Sequence, residues 1–142
     1  MITENRMRLV SLSVMLLVVV AMHAQTVADV RRELKRQGVP HAEVVLAQAR
    51  LESGNFQSRR ARADHNILGM KRGARYAKYR RWQDCVADYK RRISSRYKRG
   101  ESYYAFLRRI GYASDKKYIG KVKDIVRTSK NKKNESKRQK NG

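Results

Sequence analysis

One carboxyl group stands where a surface charge does not belong. Val45, Ala49 and Glu52 follow one another at i, i+4 and i+7, a spacing that puts all three on one face of a helix. That face is otherwise apolar, and Glu52 closes it just before Ser53-Gly54. Desolvation and the negative end of the helix dipole both disfavour a carboxylate there. Both raise the proton affinity of the group, as a general acid working near neutral pH requires. A rim glutamate paired with Arg50 or Arg59 fits the same pattern. Other chemistries are poorly supplied. The single cysteine, Cys85, excludes an internal disulfide framework and a Cys-rich zinc site. With only three histidines in the chain, neither a metal site nor a cofactor is expected.

The elements that must position Glu52 read as a chain of short helices with one break. Thr26 caps a first helix with Asp29 in the capping-box position, and Gly38 ends it. Pro40 opens a second helix through Val44, Val45, Leu46 and Ala49 to Glu52. Asn55 to Asp64 reads as polar loop. Residues 67–71 and 75–79, around Arg72-Gly73, fit a small hairpin. Asp84 is placed to cap a helix bearing Val86, Tyr89 and Ile93. Tyr103, Phe106, Leu107 and Ile110 form a further stripe, stopped by Gly111. Ser114 is placed to cap a last helix through Tyr118, Val122 and Ile125. The expected class is α+β, mainly α, with a short β-hairpin lobe.

Thirty-five Lys and Arg against twelve Asp and Glu give a formal charge of +23 in one domain-sized chain. Arg6 and Arg8 precede an apolar run from Leu9 to Met22, and a polar region opens at His23. This is the order of a secretory signal, expected over residues 1–24 with Ala24 at its end; an uncleaved N-terminal membrane anchor is the other reading. Export places the chain in the periplasm or at the cell surface. The polyanions met there are wall and envelope polymers, so no nucleic-acid partner is expected. The charge itself speaks to association rather than fold. Residues 25–127 form the expected domain. The basic segment 128–142, without aliphatic or aromatic residues, is expected to be disordered.

Four blocks carry a family resemblance. Leu46 to Gly54, reading Leu-Ala-Gln-Ala-Arg-Leu-Glu-Ser-Gly, resembles the catalytic helix of the family-73 glycoside hydrolases, bacterial endo-β-N-acetylglucosaminidases that cut peptidoglycan. His65-Asn66-Ile67-Leu68-Gly69-Met70-Lys71 is similar to the family's Asn-Asn-Leu-Phe-Gly-Ile-Lys block. Tyr79 to Tyr89, and Gly111-Tyr112-Ala113-Ser114-Asp115-Lys116-Lys117-Tyr118, resemble its next two segments in the same order. The resemblance implies a lysozyme-like fold and a monomer acting on peptidoglycan glycan strands. It makes Glu52 the acid that protonates the glycosidic oxygen, and Tyr112 a catalytic tyrosine shaping the cleft. Asn66 and Tyr118 match positions beside the sugar, although Tyr118 equally fits a core place on the last helix. His65 replaces an asparagine there and is expected as a sugar contact, not a base.

The departures bear on mechanism. Many members carry a second acid in the β-lobe, but Lys71 to Gln83 holds no Asp or Glu. Asp64 and Asp84 only flank that stretch. Two-carboxylate hydrolysis needs a partner facing the acid, so participation by the substrate's own N-acetyl group is the expected route. Asn55-Phe56 stands where the family has Trp, a change expected to tune sugar stacking. Two other functions remain in view: a lytic transglycosylase on the same fold, and a wall- or polyanion-binding module without catalysis.

Overall fold

The computed structural model describes residues 25–141, so the expected leader over residues 1–24 lies outside the described residues. Helix α1 spans Val27–Arg36, α2 Ala42–Glu52 and α3 Arg59–Ala63. Strands β1 (Lys71–Arg72) and β2 (Arg75–Tyr76) follow, then α4 (Trp82–Arg92), a 3₁₀ turn at Ser94–Arg96, α5 (Tyr103–Arg109) and α6 (Tyr118–Asn141). The architecture is mainly helical with one two-stranded antiparallel sheet, as the α+β reading expects.

Local chemistry sets most of the boundaries. The capping box at Thr26 and Asp29 is formed in both directions, which satisfies two backbone donors that a helix start leaves free. Val30 and Leu34 are turned fully into the core. Helix α2 begins at Ala42 rather than at Pro40, behind a left-handed His41 whose side chain makes no cap bond. Its core residues, Val44 to Ala49, are buried all round, because α1 and α6 both pack against it. Within the segment expected as loop, Ser58 accepts a hydrogen bond from the Ala61 amide and caps the short α3. The hairpin is confined to the pairs Lys71–Tyr76 and Arg72–Arg75.

Two caps differ from expectation. Asp84 lies in the first turn of α4, whose N-cap is Arg81. The Asp84 carboxylate accepts from the Arg81 guanidinium at 3.1 Å instead of capping backbone. The last helix starts at Tyr118, and Asp115 rather than Ser114 holds its entry, accepting from the Lys117 amide at 2.8 Å and, by its carbonyl, from Tyr118 at 3.0 Å. Helix α6 then continues through the segment expected to be disordered. Every side chain from Lys130 to Asn141 on it is exposed, so this stretch packs on nothing. No described helix is long and apolar enough to cross a membrane.

Candidate active site

Helix α2 ends at Glu52 against the loop that leads into the β-lobe. The approach is close. A methyl group on Gly69 would sit 2.6 Å from Glu52 Oε2, so only glycine leaves room for the carboxyl there. Gly69 also has φ +63, a conformation that side chains with a Cβ rarely adopt. Glu52 is only half-buried, so its proton is within reach of a ligand. Burial raises its proton affinity above that of an ordinary glutamic acid. Hydrogen bonding with the Tyr118 hydroxyl and the positive charges of Arg60 and Lys71 oppose that rise in part. The direction is the one anticipated for Glu52, and desolvation is its leading cause.

Two tyrosines complete the surroundings of the acid. The Tyr112 hydroxyl donates to the Leu68 carbonyl at 3.0 Å, which ties the segment after α5 to the β-lobe. Its ring lies 5.6 Å from that of Tyr118. Burial, with Tyr118 and Glu52 nearby, raises both phenols well above their ordinary range, so they stay neutral donors. Tyr118 is buried; it takes the core place expected on the last helix and also borders the acid.

A buried hydrogen-bond chain runs to Tyr118 from the far side of the core. Ser94 Oγ lies 3.3 Å from the Tyr103 hydroxyl, which lies 2.9 Å from that of Tyr89. Tyr89 donates to Gln48 Oε1 at 2.8 Å, and Gln48 Nε2 donates to the Tyr118 oxygen at 3.2 Å. Because the Tyr118 oxygen accepts from Gln48, its own proton is left for a second partner, and Glu52 lies beside it. Gln48 was part of the quoted α2 motif without a role of its own. Its signal was a lone polar residue one turn before Glu52 on a helix otherwise buried in apolar side chains.

Asn66 is placed differently from the sugar contact expected of it. Its amide is fully buried and donates to the carbonyls of Met70 and Ala77, both at 2.8 Å, while Oδ1 accepts from the Met70 amide at 2.9 Å. All of this capacity goes to closing the base of the hairpin. His65 also serves the lobe, with Nδ1 3.0 Å from the Tyr79 carbonyl. Phe56, expected to tune sugar stacking, is only 2% exposed and belongs to the core. Its amide donates to Ser53 Oγ at 2.8 Å, and Ser53 Oγ in turn donates to the Ala49 carbonyl at 2.6 Å. Those bonds and the buried ring hold the residue at φ +68, an unusual conformation for a bulky side chain.

The carboxylates that flank the lobe are engaged elsewhere. Asp64 lies 3.7 Å from the Lys78 ammonium, and Asp84 is bound to Arg81. Asp88 is buried and accepts from the Tyr79 hydroxyl at 2.7 Å, with Arg72, Arg91 and Arg92 around it. The charges that act on Glu52 are both positive. No cluster of three His, Cys, Asp or Glu residues suited to a metal occurs among the described residues. Cys85 is buried at the lobe's base, and burial pushes its thiol up to about 12, so it is no nucleophile. Two surface hollows, one between Gln37 and Lys90 and one along Tyr104 and Lys123, do not include Glu52.

A mainly helical body with a small hairpin lobe, and a desolvated glutamic acid where the two meet, define a lysozyme-like domain. Residues 27–131 match the family profile Glucosaminidase, described as mannosyl-glycoprotein endo-beta-N-acetylglucosaminidase. The chain belongs to this family, and its domain is of the glycoside hydrolase type. No curated protein and no solved structure is matched by the chain.

Proposed function

We propose that this protein is an exported peptidoglycan hydrolase that cleaves the β-1,4 bond after N-acetylglucosamine, with Glu52 as its general acid. The observation that carries the reading is the setting of Glu52. It is half-buried, its proton affinity is raised by desolvation, and it sits against Gly69 and beside Tyr118. In the first step the Glu52 carboxyl gives its proton to the glycosidic oxygen, and the bond from that oxygen to C1 breaks. Charge then develops at C1. With Arg60 and Lys71 as the charges facing the acid, the missing electron pair is assigned to the carbonyl oxygen of the substrate's 2-acetamido group, which closes an oxazolinium ring. In the second step the Glu52 carboxylate takes a proton from water. The water oxygen attacks C1 and the acetamido oxygen leaves, so configuration is retained and the acid is restored. Tyr112 and Tyr118, both neutral, offer fixed dipoles at the reacting end.

The single acid also suits a lytic transglycosylase, in which a sugar hydroxyl takes the place of water. Mass spectrometry of fragments released from purified peptidoglycan by the chain from Gln25 onward separates the two. Products ending in reducing N-acetylglucosamine support the proposal. Anhydro ends would assign the transglycosylase instead, and no release of fragments would leave a wall-binding module.

A further inference from the structure

Residues 59–81 hold nine Lys and Arg and one acid, Asp64. Most of these cations are solvated, but two are organised. The Arg60 guanidinium carbon lies 3.3 Å from the centre of the Tyr76 ring, and the Lys71 ammonium 5.0 Å from the same centre. Lys71 and Tyr76 are partners across the hairpin, and Arg60 comes from α3, so two separate elements deliver the pair to one ring. Tyr76 is the large hydrophobic side chain left exposed among the described residues. A ring face of this kind attracts cations and holds them in place. Neither Arg60 nor Lys71 forms an ion pair with any carboxylate among the described residues, whereas Arg72, Lys78 and Arg81 of the same lobe do. Both act on Glu52.

When Glu52 carries the proton it is to deliver, neither member of that pair has a carboxylate within ion-pair distance among the described residues. We propose that Arg60 and Lys71, held on Tyr76, form a subsite for a carboxylate of the glycan strand, borne by the lactyl ether of the sugar or by its peptide stem. This rests on the reading of Glu52 as the acid of a peptidoglycan hydrolase. The planar fork of Arg60 suits a carboxylate, and the aromatic support limits the freedom both side chains lose on binding. The subsite also couples to the acid. A bound carboxylate offsets the two charges that pull the proton from Glu52, so a charged substrate keeps the acid protonated to higher pH than a neutral one.

The test compares three soluble glycans: one with its peptide stems, one stripped to the lactyl carboxylates, and one with every carboxylate converted to the methylamide. The wild-type chain should favour the carboxylate glycans over the methylamide by about tenfold in kcat/KM, the scale of two partly exposed charge pairs. It should also keep its activity to higher pH on the carboxylate glycans. The double substitution Arg60→Gln/Lys71→Gln should reduce that preference to about one and abolish the difference in pH profile. Preference for the stem-bearing glycan alone assigns the subsite to the stem; preference for the stripped glycan alone assigns it to the lactyl carboxylate, which the stem-bearing strand carries as an amide. Equal preference shows a subsite that takes a carboxylate from either. A preference unchanged in the double variant, or none in the wild type, overturns the proposal. Lys71→Gln alone, at an exposed position, should reduce the preference partway if the double variant is poorly folded. Calorimetry of Glu52→Gln with the same glycans reads the subsite without turnover. Should no glycan be cleaved, the glycosidase reading falls, and carboxylate-dependent binding in that titration decides the subsite on its own.

Discussion

The closest contact at the acid gives the sharpest test. Gly69→Ala places a methyl 2.6 Å from Glu52 Oε2 and 3.2 Å from its carboxyl carbon. Ordinary contact begins near 3.4 Å, so the oxygen must retreat by about 0.8 Å. The obstructing atom is the end of a flexible side chain, and moving it costs the fold little. The backbone pays separately, because a side chain at φ +63 is disfavoured by about 1–2 kcal/mol. Gly73→Ala isolates that backbone effect: Gly73 has φ +61, and nothing lies within 4 Å of the added methyl. Both variants should lose similar stability, at about 4 °C in Tm per kcal/mol. Activity should part them. A misplacement near 1 Å at a reacting group is capable of costing about 100-fold, so Gly69→Ala should lower kcat/KM by roughly 10- to 100-fold and Gly73→Ala by less than about threefold. The assay is hydrolysis of a soluble glycan alongside thermal unfolding of both variants. Equal activity in the two would show that the position of the Glu52 carboxyl against Gly69 does not matter to the reaction.

Glu52→Gln keeps shape and removes the transferable proton, so activity should fall by about 10²–10⁴-fold with an unchanged circular dichroism spectrum, while Asp64→Asn should cost less than about tenfold; the reverse order would move the acid to Asp64. Tyr118→Phe removes an interaction that lowers the proton affinity of Glu52. The acid then stays protonated to higher pH, and the falling limb of the kcat/KM profile should move up. Gln48→Leu should move that limb the same way and add nothing to Tyr118→Phe in the double variant; additive shifts would separate Gln48 from the chain through Tyr118. Truncation after Ser129 keeps the bond from Arg50 Nη1 to Ser129 Oγ at 2.9 Å and removes only exposed side chains, so Tm should hold while binding to anionic walls at low salt weakens; a marked fall in Tm would show that the exposed end of α6 supports the core.

The features that repeat along one element were legible without coordinates. The apolar stripe through Val45 and Ala49 announced a buried end for Glu52, since helical periodicity assigns faces whatever the partner helix is. Thr26 and Asp29 announced the start of α1 for the same local reason, a side chain bonding backbone three residues away. The scarcity of acids in the lobe was a matter of counting. Tertiary structure decided what each polar side chain spends its hydrogen bonds on. Asn66 sits in a motif beside the acid, yet its partners are Met70 and Ala77, a choice made by closure of the hairpin. Phe56 fills the core because the left-handed turn after Gly54 aims it inward. Gln48 meets Tyr89 and Tyr118 from 41 and 70 residues away, and no periodicity within α2 encodes which hydroxyls will reach it. Spacing along a chain fixes the direction of a side chain within its own element. The partner waiting there depends on how separate elements pack, and at Glu52 that packing brought Gly69, Tyr118 and two cations to a single acid.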